Sequence, residues 1–248
     1  MIAPETGRLK LFSDRVAGIY GSEDWCVWLY ALAKMQRPKV ILELGSGTFA
    51  TALWLAQAVK ENGAGHVWTV DDGRHWSSIL AKEPEAFLPE ERHERFEDYF
   101  RYLVGAFELE AQITWLPQAM PPFPSPGEPI DLLFSDFQHG PDNILDILAF
   151  YLPRLTEAGS LFIDSAPTHF ASYAMLEILV PLLQAGKIPA RLWDRMELPH
   201  REPTLEWVRR RSFQLVHLVE AKQRAQNSTA WLRFWPADVR PWPKAAFH

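Results

Sequence analysis

Residues 40–48 read Val40-Ile-Leu-Glu-Leu-Gly-Ser-Gly-Thr48, a short apolar run followed at once by a glycine-rich turn. The apolar run predicts a buried strand, and the periodic apolar residues from Thr48 to Glu61 predict a helix. Glycine allows a tight turn and lets a ligand approach the backbone closely. The segment therefore predicts a strand, a ligand-binding loop and a helix in succession.

The same alternation continues in both directions along the chain. Further strands are predicted at 66–71, 112–116, 130–135, 160–164, 213–219 and 229–235, and helical segments at 22–35, 89–107, 142–155 and 172–184. Gly63 is expected to end the helix that follows the first strand, and Gly159 to end the turn before the fifth strand. Strands that alternate with helices predict a parallel sheet, which binds ligands beyond the carboxyl ends of its strands.

Polar residues follow five successive predicted strands, at the points where those strands end. They are Glu43 to Gly47, Asp71-Asp72, Gln118-Ala119, Asp136-Phe137-Gln138-His139 and Asp164-Ser165. Because the carboxyl ends of parallel strands meet at one edge of a sheet, these groups are expected to converge on one crevice.

The glycine turn and an acid on the next strand indicate a cofactor that contains a nucleoside. Asp71 lies 24 positions beyond Gly47, where a carboxylate can accept hydrogen bonds from both ribose hydroxyls. The pattern Gly45-x-Gly47-x-x-Ala50 also fits a dinucleotide fingerprint, so the glycines leave NAD and S-adenosylmethionine open. Glu43 favours S-adenosylmethionine, because a carboxylate there would repel a pyrophosphate but suits an ammonium and a sulfonium.

Residues 40–48 resemble motif I of the class I S-adenosylmethionine-dependent methyltransferases. Residues 131–139 and 155–164 resemble the fourth and fifth strands of the catechol O-methyltransferase-like branch and its bacterial relatives. The resemblance spans roughly Ser22 to His169. It implies an α/β, Rossmann-like fold: a seven-stranded, mostly parallel sheet with helices on both faces and a C-terminal antiparallel hairpin. It also implies an enzyme that transfers methyl groups, with a hydroxyl oxygen of a small molecule as the expected acceptor.

The resemblance assigns the methionyl end of the cofactor to Glu43–Gly47, the ribose to Asp71 and the adenine to the neighbourhood of Gln118-Ala119. The predicted cofactor-binding set is Glu43, Gly45, Ser46, Gly47, Asp71, Asp72, Gln118, Ala119, Asp136 and Phe137. Trp76 and Phe137 are candidates to line the pocket by stacking on the cofactor, although core packing is the favoured role for either ring.

Two mechanisms for activating the acceptor are open. In the resembled branch a divalent metal such as Mg²⁺ does this, and Asp136 and Asp164 match its two acidic ligands, while Ser165 replaces an asparagine. Alternatively, His139 is a general base, since an imidazole can take a proton near neutral pH and Asp136 lies close to it in sequence.

Phe49 stands where the family has a third glycine, and with Ser165 it departs from the family pattern. These departures support an alternative, a non-catalytic cofactor-binding module with the same fold. A nicotinamide-dependent oxidoreductase is the other alternative, through the glycine pattern alone.

The amino-acid composition indicates which kinds of partner and which cellular compartment suit the protein. The 248 residues carry a formal charge of −6, which disfavours nucleic acid as a partner, and the single cysteine, Cys26, suits a reducing cytoplasm. The most apolar stretch, 169–186, contains Glu177 and Pro181 and predicts a buried helix rather than a membrane span. We expect a single domain over 1–248, with a helical lead-in region 1–38, a cofactor-binding core 39–170 and a C-terminal part 171–248 that contains the last two strands. A homodimer is expected only because homo-oligomers are common among soluble proteins.

Overall fold

The computed structural model describes residues 4–19, 23–220 and 227–238, and strands and helices alternate along them. The helices are α1 (Pro4–Val16), α2 (Glu23–Gln36), α3 (Ala50–Asn62), α4 (Trp76–Lys82), α5 (Phe96–Ala106), α6 (Pro141–Tyr151), α7 (Phe170–Gln184), α8 (Ala190–Trp193) and α9 (Leu198–Arg209). The strands are β1 (Val40–Leu44), β2 (His66–Val70), β3 (Ile113–Leu116), β4 (Ile130–Ser135), β5 (Leu155–Asp164), β6 (Arg211–Val219) and β7 (Ser228–Pro236).

Seven strands of the described residues form one sheet in the order β3-β2-β1-β4-β5-β7-β6. Strand β1 pairs in parallel with β2 and with β4, and β2 pairs in parallel with β3. Strand β7 pairs antiparallel with both β5 and β6, which makes the predicted C-terminal hairpin. The predicted fold class, a Rossmann-like sheet with helices around it, is confirmed.

The described residues group into two compact units. The N-terminal unit comprises Met1–Glu128 and Leu132–Phe137, and the C-terminal unit comprises Pro129–Asp131 and Gln138–His248. In the N-terminal unit every residue of β1 is buried, as its apolar run predicts. Ten residues of α3 are buried as well, so the helix that follows the glycine turn is fixed by core packing.

Some predicted boundaries hold and others do not. Gly63 ends α3 in a left-handed conformation, as expected of a glycine C-cap. The amphipathic segment 89–107 is not one helix, because a short turn at Pro89–Glu91 precedes α5. Gly159 does not end a turn: β5 already begins at Leu155 and runs through it. A Cβ on Gly159 would lie 2.3 Å from the backbone oxygen of Asp131. Glycine is therefore needed at position 159 because the backbone of Asp131 comes so close to it.

Candidate functional site

The glycine turn lies between the ends of two strands in the N-terminal unit. The amide of Gly45 donates to the carbonyl of Val70 over 2.9 Å, and the amide of Asp136 donates to the carbonyl of Leu44 over 2.9 Å. Gly45 and Gly47 have φ of +89° and +51°, in the region that favours glycine. The backbone itself therefore sets the loop that the sequence predicted.

The Asp71 carboxylate joins the glycine turn to the loop after β2. Its Oδ2 accepts hydrogen bonds from the amides of Ser46, over 3.1 Å, and Gly47, over 3.2 Å. Its Oδ1 accepts a hydrogen bond from the amide of Gly73 over 2.8 Å. The acid predicted to bind a ribose thus also fixes the geometry of both loops that border the site.

Glu43 is buried within β1, with 1% of its surface exposed. Its Oε2 accepts a hydrogen bond from the hydroxyl of Thr69, which in turn receives one from the hydroxyl of Ser46 over 2.5 Å. Burial raises the pKa of Glu43 to about 8; the Thr69 hydrogen bond opposes this rise and the charge of Asp71 adds to it. A buried carboxyl in this state is suited to a cationic ligand, which would stabilise its ionised form.

Thr69 was missed by the sequence analysis, although a signal for it existed. It is the only hydroxyl-bearing residue in the strand His66–Val70, and its register places it directly beside Glu43. A hydroxyl next to a buried carboxyl supplies the hydrogen bond that such a group needs.

The remaining predicted cofactor residues are more exposed. Asp72 pairs with Arg74, whose hydrogen bond lowers the pKa of Asp72. Gln118 is half-buried and donates from its Nε2 to the carbonyl of Pro122, and Ala119 is exposed. Phe137 is half-buried and meets the ring of Phe123 edge-on at 6.5 Å. Their contact with a cofactor stays a prediction.

Trp76 packs in the core, which is the role that the sequence analysis favoured over a place at the site. It is 2% exposed, stacks on Tyr99 at 4.2 Å and donates from its Nε1 to the carbonyl of His93. Its position just after an acidic strand end suggested a pocket residue, but helix α4 turns the ring into the core.

His139 is held in one tautomer in the C-terminal unit. Its Nδ1 lies 2.8 Å from the backbone oxygen of Asp164, and because a carbonyl only accepts, Nδ1 carries the hydrogen. Nε2 therefore carries the lone pair in the neutral ring. Burial lowers the pKa of His139; the charge of Asp164 and the backbone hydrogen bond oppose this, and nearby His169 adds to it. The ring stacks on that of His169 at 5.6 Å.

The carboxylate of Asp164 is engaged by hydroxyl groups. Oδ1 accepts from Thr229 over 2.9 Å and Oδ2 from Ser165 over 2.7 Å. Ser165 has a left-handed φ of +56°, a conformation that asparagine, the family residue, also tolerates well. Within the described part of the chain, no three His, Cys, Asp or Glu side chains are grouped to hold a metal ion. With both carboxylate oxygens of Asp164 bound to hydroxyl groups, its surroundings do not fit a divalent cation.

The structure thus brings together two groups of the predicted residues. Glu43, Gly45, Ser46, Gly47, Asp71 and Asp136 meet in the N-terminal unit, and His139 and Asp164 meet in the C-terminal unit. That Asp136 and Asp164 face one cavity stays a prediction.

Gly45→Ala is expected to destabilise the protein by about 3 kcal/mol or more. A Cβ there would lie 2.5 Å from the backbone oxygen of Asp136, and neither backbone can move aside as a side chain would. Gly127→Ala is the matched control, because Gly127 has a similar φ of +82° and open space around its Cα. We expect it to cost only about 1 kcal/mol. Equal losses in the free energy of unfolding, measured by urea denaturation, would show that the contact with Asp136 is unimportant.

The sequence profile of the methyltransferase domain family matches residues 42–186, more than half of the chain. The chain belongs to the methyltransferase domain family. The match contains the glycine turn, Asp71, Asp136, His139 and Asp164. Together with the fold, it identifies the protein as a class I S-adenosylmethionine-dependent methyltransferase, and it leaves the nicotinamide alternative without support.

Solved structures of methyltransferases have the same fold. The O-methyltransferase TomG from Streptomyces achromogenes is 14% identical with a TM-score of 0.52, and the match covers 95% of this chain and 91% of TomG. An O-methyltransferase from Bacillus cereus is 14% identical with a TM-score of 0.51, over 94% of this chain and 92% of that one. A methyltransferase from Geobacter sulfurreducens is 12% identical with a TM-score of 0.53, over 95% and 91%. No curated protein matches the sequence.

Among residues 4–19, 23–220 and 227–238, no helix is both long enough and apolar enough to cross a bilayer. The apolar stretch 169–186 contains the whole of α7.

Proposed function

We propose that this methyltransferase transfers the methyl group of S-adenosylmethionine to a hydroxyl oxygen of a small molecule. The observation that supports this cofactor site most directly is the set of hydrogen bonds that the Asp71 carboxylate accepts from the amides of the glycine turn and of the next loop. Such a junction places a carboxylate, the glycine turn and the N-terminus of α3 around one point, which suits the ribose and methionyl groups.

The N-terminal unit would hold the cofactor through groups whose charge and hydrogen-bonding capacity complement those of the cofactor. Glu43 would face the cationic methionyl end, Asp71 would accept hydrogen bonds from the ribose, and Gln118-Ala119 would border the adenine. Asp136 and Phe137 complete the proposed lining, and Asp72 would lie at its edge, with its carboxylate bound to Arg74. Mg²⁺ is the metal that the family resemblance favours, although the surroundings of Asp164 speak against it.

The C-terminal unit would supply the base. When bound, the sulfonium offers a methyl carbon that an oxygen attacks in line, and the electron pair of the breaking bond stays on sulfur. His139 Nε2 would take the proton of the acceptor hydroxyl, while Nδ1–H stays bound to the carbonyl of Asp164. A lowered pKa keeps the ring neutral, and so able to accept a proton, near pH 7.

Two of the solved structures that share the fold support this proposal. TomG is an O-methyltransferase solved with S-adenosylmethionine, and the Bacillus cereus O-methyltransferase is solved with S-adenosylhomocysteine. At this low identity they support the choice of cofactor and acceptor atom but not the identity of the acceptor.

Calorimetric titration with S-adenosylmethionine, S-adenosylhomocysteine and NAD tests the cofactor. We expect both sulfur compounds to bind and NAD not to bind. Transfer of labelled methyl groups to a panel of phenols, alcohols and amines then tests the acceptor class. Binding without transfer to any acceptor would favour a non-catalytic module, and transfer to amines alone would refute the oxygen assignment.

Glu43 is expected to make cofactor binding depend on pH. Its raised pKa of about 8 means that the free protein holds a proton there at pH 7. An ammonium ligand requires the ionised form, so S-adenosylhomocysteine affinity should rise with pH from about 6.5 to 8, by up to roughly tenfold per unit. The same raised pKa lowers stability between its unfolded value of 4.5 and about 8 as the pH rises.

The control for this dependence is Glu43→Gln, which keeps the shape but cannot ionise. Its affinity should be weaker at pH 8 and nearly flat over the same range. Calorimetry in two buffers of different ionisation enthalpy would reveal the proton released by the parent. Equal slopes for parent and variant would mean that Glu43 does not meet the ammonium.

The wider setting also belongs to this proposal. We propose a cytoplasmic enzyme with a small-molecule acceptor and no nucleic-acid partner, consistent with its negative charge. A homodimer and a single domain over 1–248, with regions 1–38, 39–170 and 171–248, remain predictions. Light scattering and limited proteolysis test these two.

A further inference from the structure

Phe49 occupies an unusual position at the start of the cofactor helix. It is the N-cap of α3, has a left-handed φ of +64° and is fully buried. A bulky residue in this conformation costs energy that a glycine would not, so the surroundings must hold it there. What holds it is a set of aromatic rings contributed by α5 and β3.

Phe96 is the ring that touches both loops of the cofactor site. It stacks on Phe49 with centroids 4.6 Å apart and planes 21° apart. Gly73 also lies against Phe96, because an added Cβ on Gly73 would be 2.6 Å from Cδ1 of that ring. The ring therefore packs against both the glycine turn and the loop that follows Asp71.

Trp115 fixes the second loop from the end of β3. Its Nε1 donates to the backbone oxygen of Asp71 over 2.8 Å. Its ring meets Phe96 edge-on at 5.4 Å and Phe49 edge-on at 6.4 Å. Phe49, Phe96 and Trp115, which we term the aromatic brace, thus connect the glycine turn to the Asp71 loop through ring contacts and a hydrogen bond to the backbone, not to the carboxylate, of Asp71.

We infer that the aromatic brace sets the spacing of the two cofactor loops, and that Phe49 and Phe96 are positioning residues for S-adenosylmethionine. The inference rests on the proposed function of the site. The amides of Ser46 and Gly47 reach the Asp71 carboxylate only when the two loops keep their present distance. Because a rigid cradle loses little freedom on binding, the brace would act on affinity through preorganisation.

Phe49→Gly separates this inference from a simpler account. If the ring only strains the turn, glycine at this position should relieve the strain and bind cofactor as well or better. If the brace positions the turn, the same variant should bind S-adenosylhomocysteine about tenfold more weakly despite the relaxed backbone. Phe49→Leu, which keeps an apolar side chain there, should recover part of the loss.

Phe96→Ala tests the ring that packs against both loops, and Phe87→Ala is its control. Phe87 is also buried and belongs to the same aromatic region, but the rings that it contacts are those of Trp76 and Tyr99. Both variants should lower the unfolding temperature, whereas only Phe96→Ala should weaken S-adenosylhomocysteine binding by about tenfold or more. Phe96→Leu carries the same test if the alanine variant does not fold.

Hydrogen exchange provides a readout that needs no cofactor. The amides of Ser46, Gly47 and Gly73 should exchange about tenfold faster in Phe96→Ala than in Phe87→Ala, because their acceptor, Asp71, is no longer held in place. Equal exchange rates and equal affinities in the two variants would refute the inference about the aromatic brace and leave the proposed function intact. A parent protein that binds no sulfur cofactor would overturn the proposed function, and with it the role of the brace in cofactor binding.

Discussion

Asp71→Ala is expected to weaken S-adenosylhomocysteine binding by about 2–4 kcal/mol, or roughly 30- to 1,000-fold in Kd. The change removes two charge-assisted hydrogen bonds proposed for the ribose. It also leaves the amides of Ser46, Gly47 and Gly73 without their acceptor, so the glycine turn and the Asp71 loop are held together less firmly. Calorimetric titration of parent and variant at one pH measures the loss.

Asp72→Ala is the matched control for this experiment. Asp72 is the neighbouring acid, but its carboxylate is bound to Arg74 at the surface rather than to the glycine turn. We expect its removal to change affinity by less than about threefold, as is usual for an exposed ion pair. If Asp71→Ala binds as tightly as the parent and Asp72→Ala does not, the ribose contact belongs to Asp72.

His139→Ala is expected to lower turnover by about 10²–10⁴-fold, the usual effect of losing a general base. The affinity for S-adenosylmethionine should hardly change, because the cofactor residues lie in the glycine turn and the Asp71 loop. Parent turnover should rise with pH through the lowered pKa of His139, below 6.5, and then level off. Initial rates with a saturating acceptor across pH 5–9 would measure both effects.

His169→Ala and a chelator are the controls for the base. His169 stacks on His139 but lacks the hydrogen bond to the carbonyl of Asp164, so its removal should cost much less than the loss of His139. EDTA should leave the parent active. Activity that EDTA abolishes and His139→Ala spares would instead establish the metal mechanism with Asp136 and Asp164. If neither treatment matters, alignment of the acceptor alone drives transfer.

The local sequence carried most of the information about the fold. Apolar runs identified β1 and β4, because a strand buried on both faces leaves little room for polar side chains. The lead-in 1–38 was predicted to be helical, but no separate helix was assigned to Pro4–Val16, since its apolar pattern is weak and its contacts are with α2 and α3. Gly159 was misassigned because glycine is common at turns, whereas here it admits a neighbouring backbone.

For the site, the sequence by itself determined the residue types and their order: a glycine turn after β1, acids after β2, β4 and β5, and His139 on the loop after β4. Only the tertiary structure decided what each group binds. It gave Asp71 three backbone amides, placed Thr69 beside Glu43, and set Phe96 against both Phe49 and Gly73. The physical reason is distance along the chain. Strand ends can be read from neighbouring residues, whereas hydrogen bonds and ring contacts between segments 23 to 47 residues apart depend on how the sheet brings those segments together.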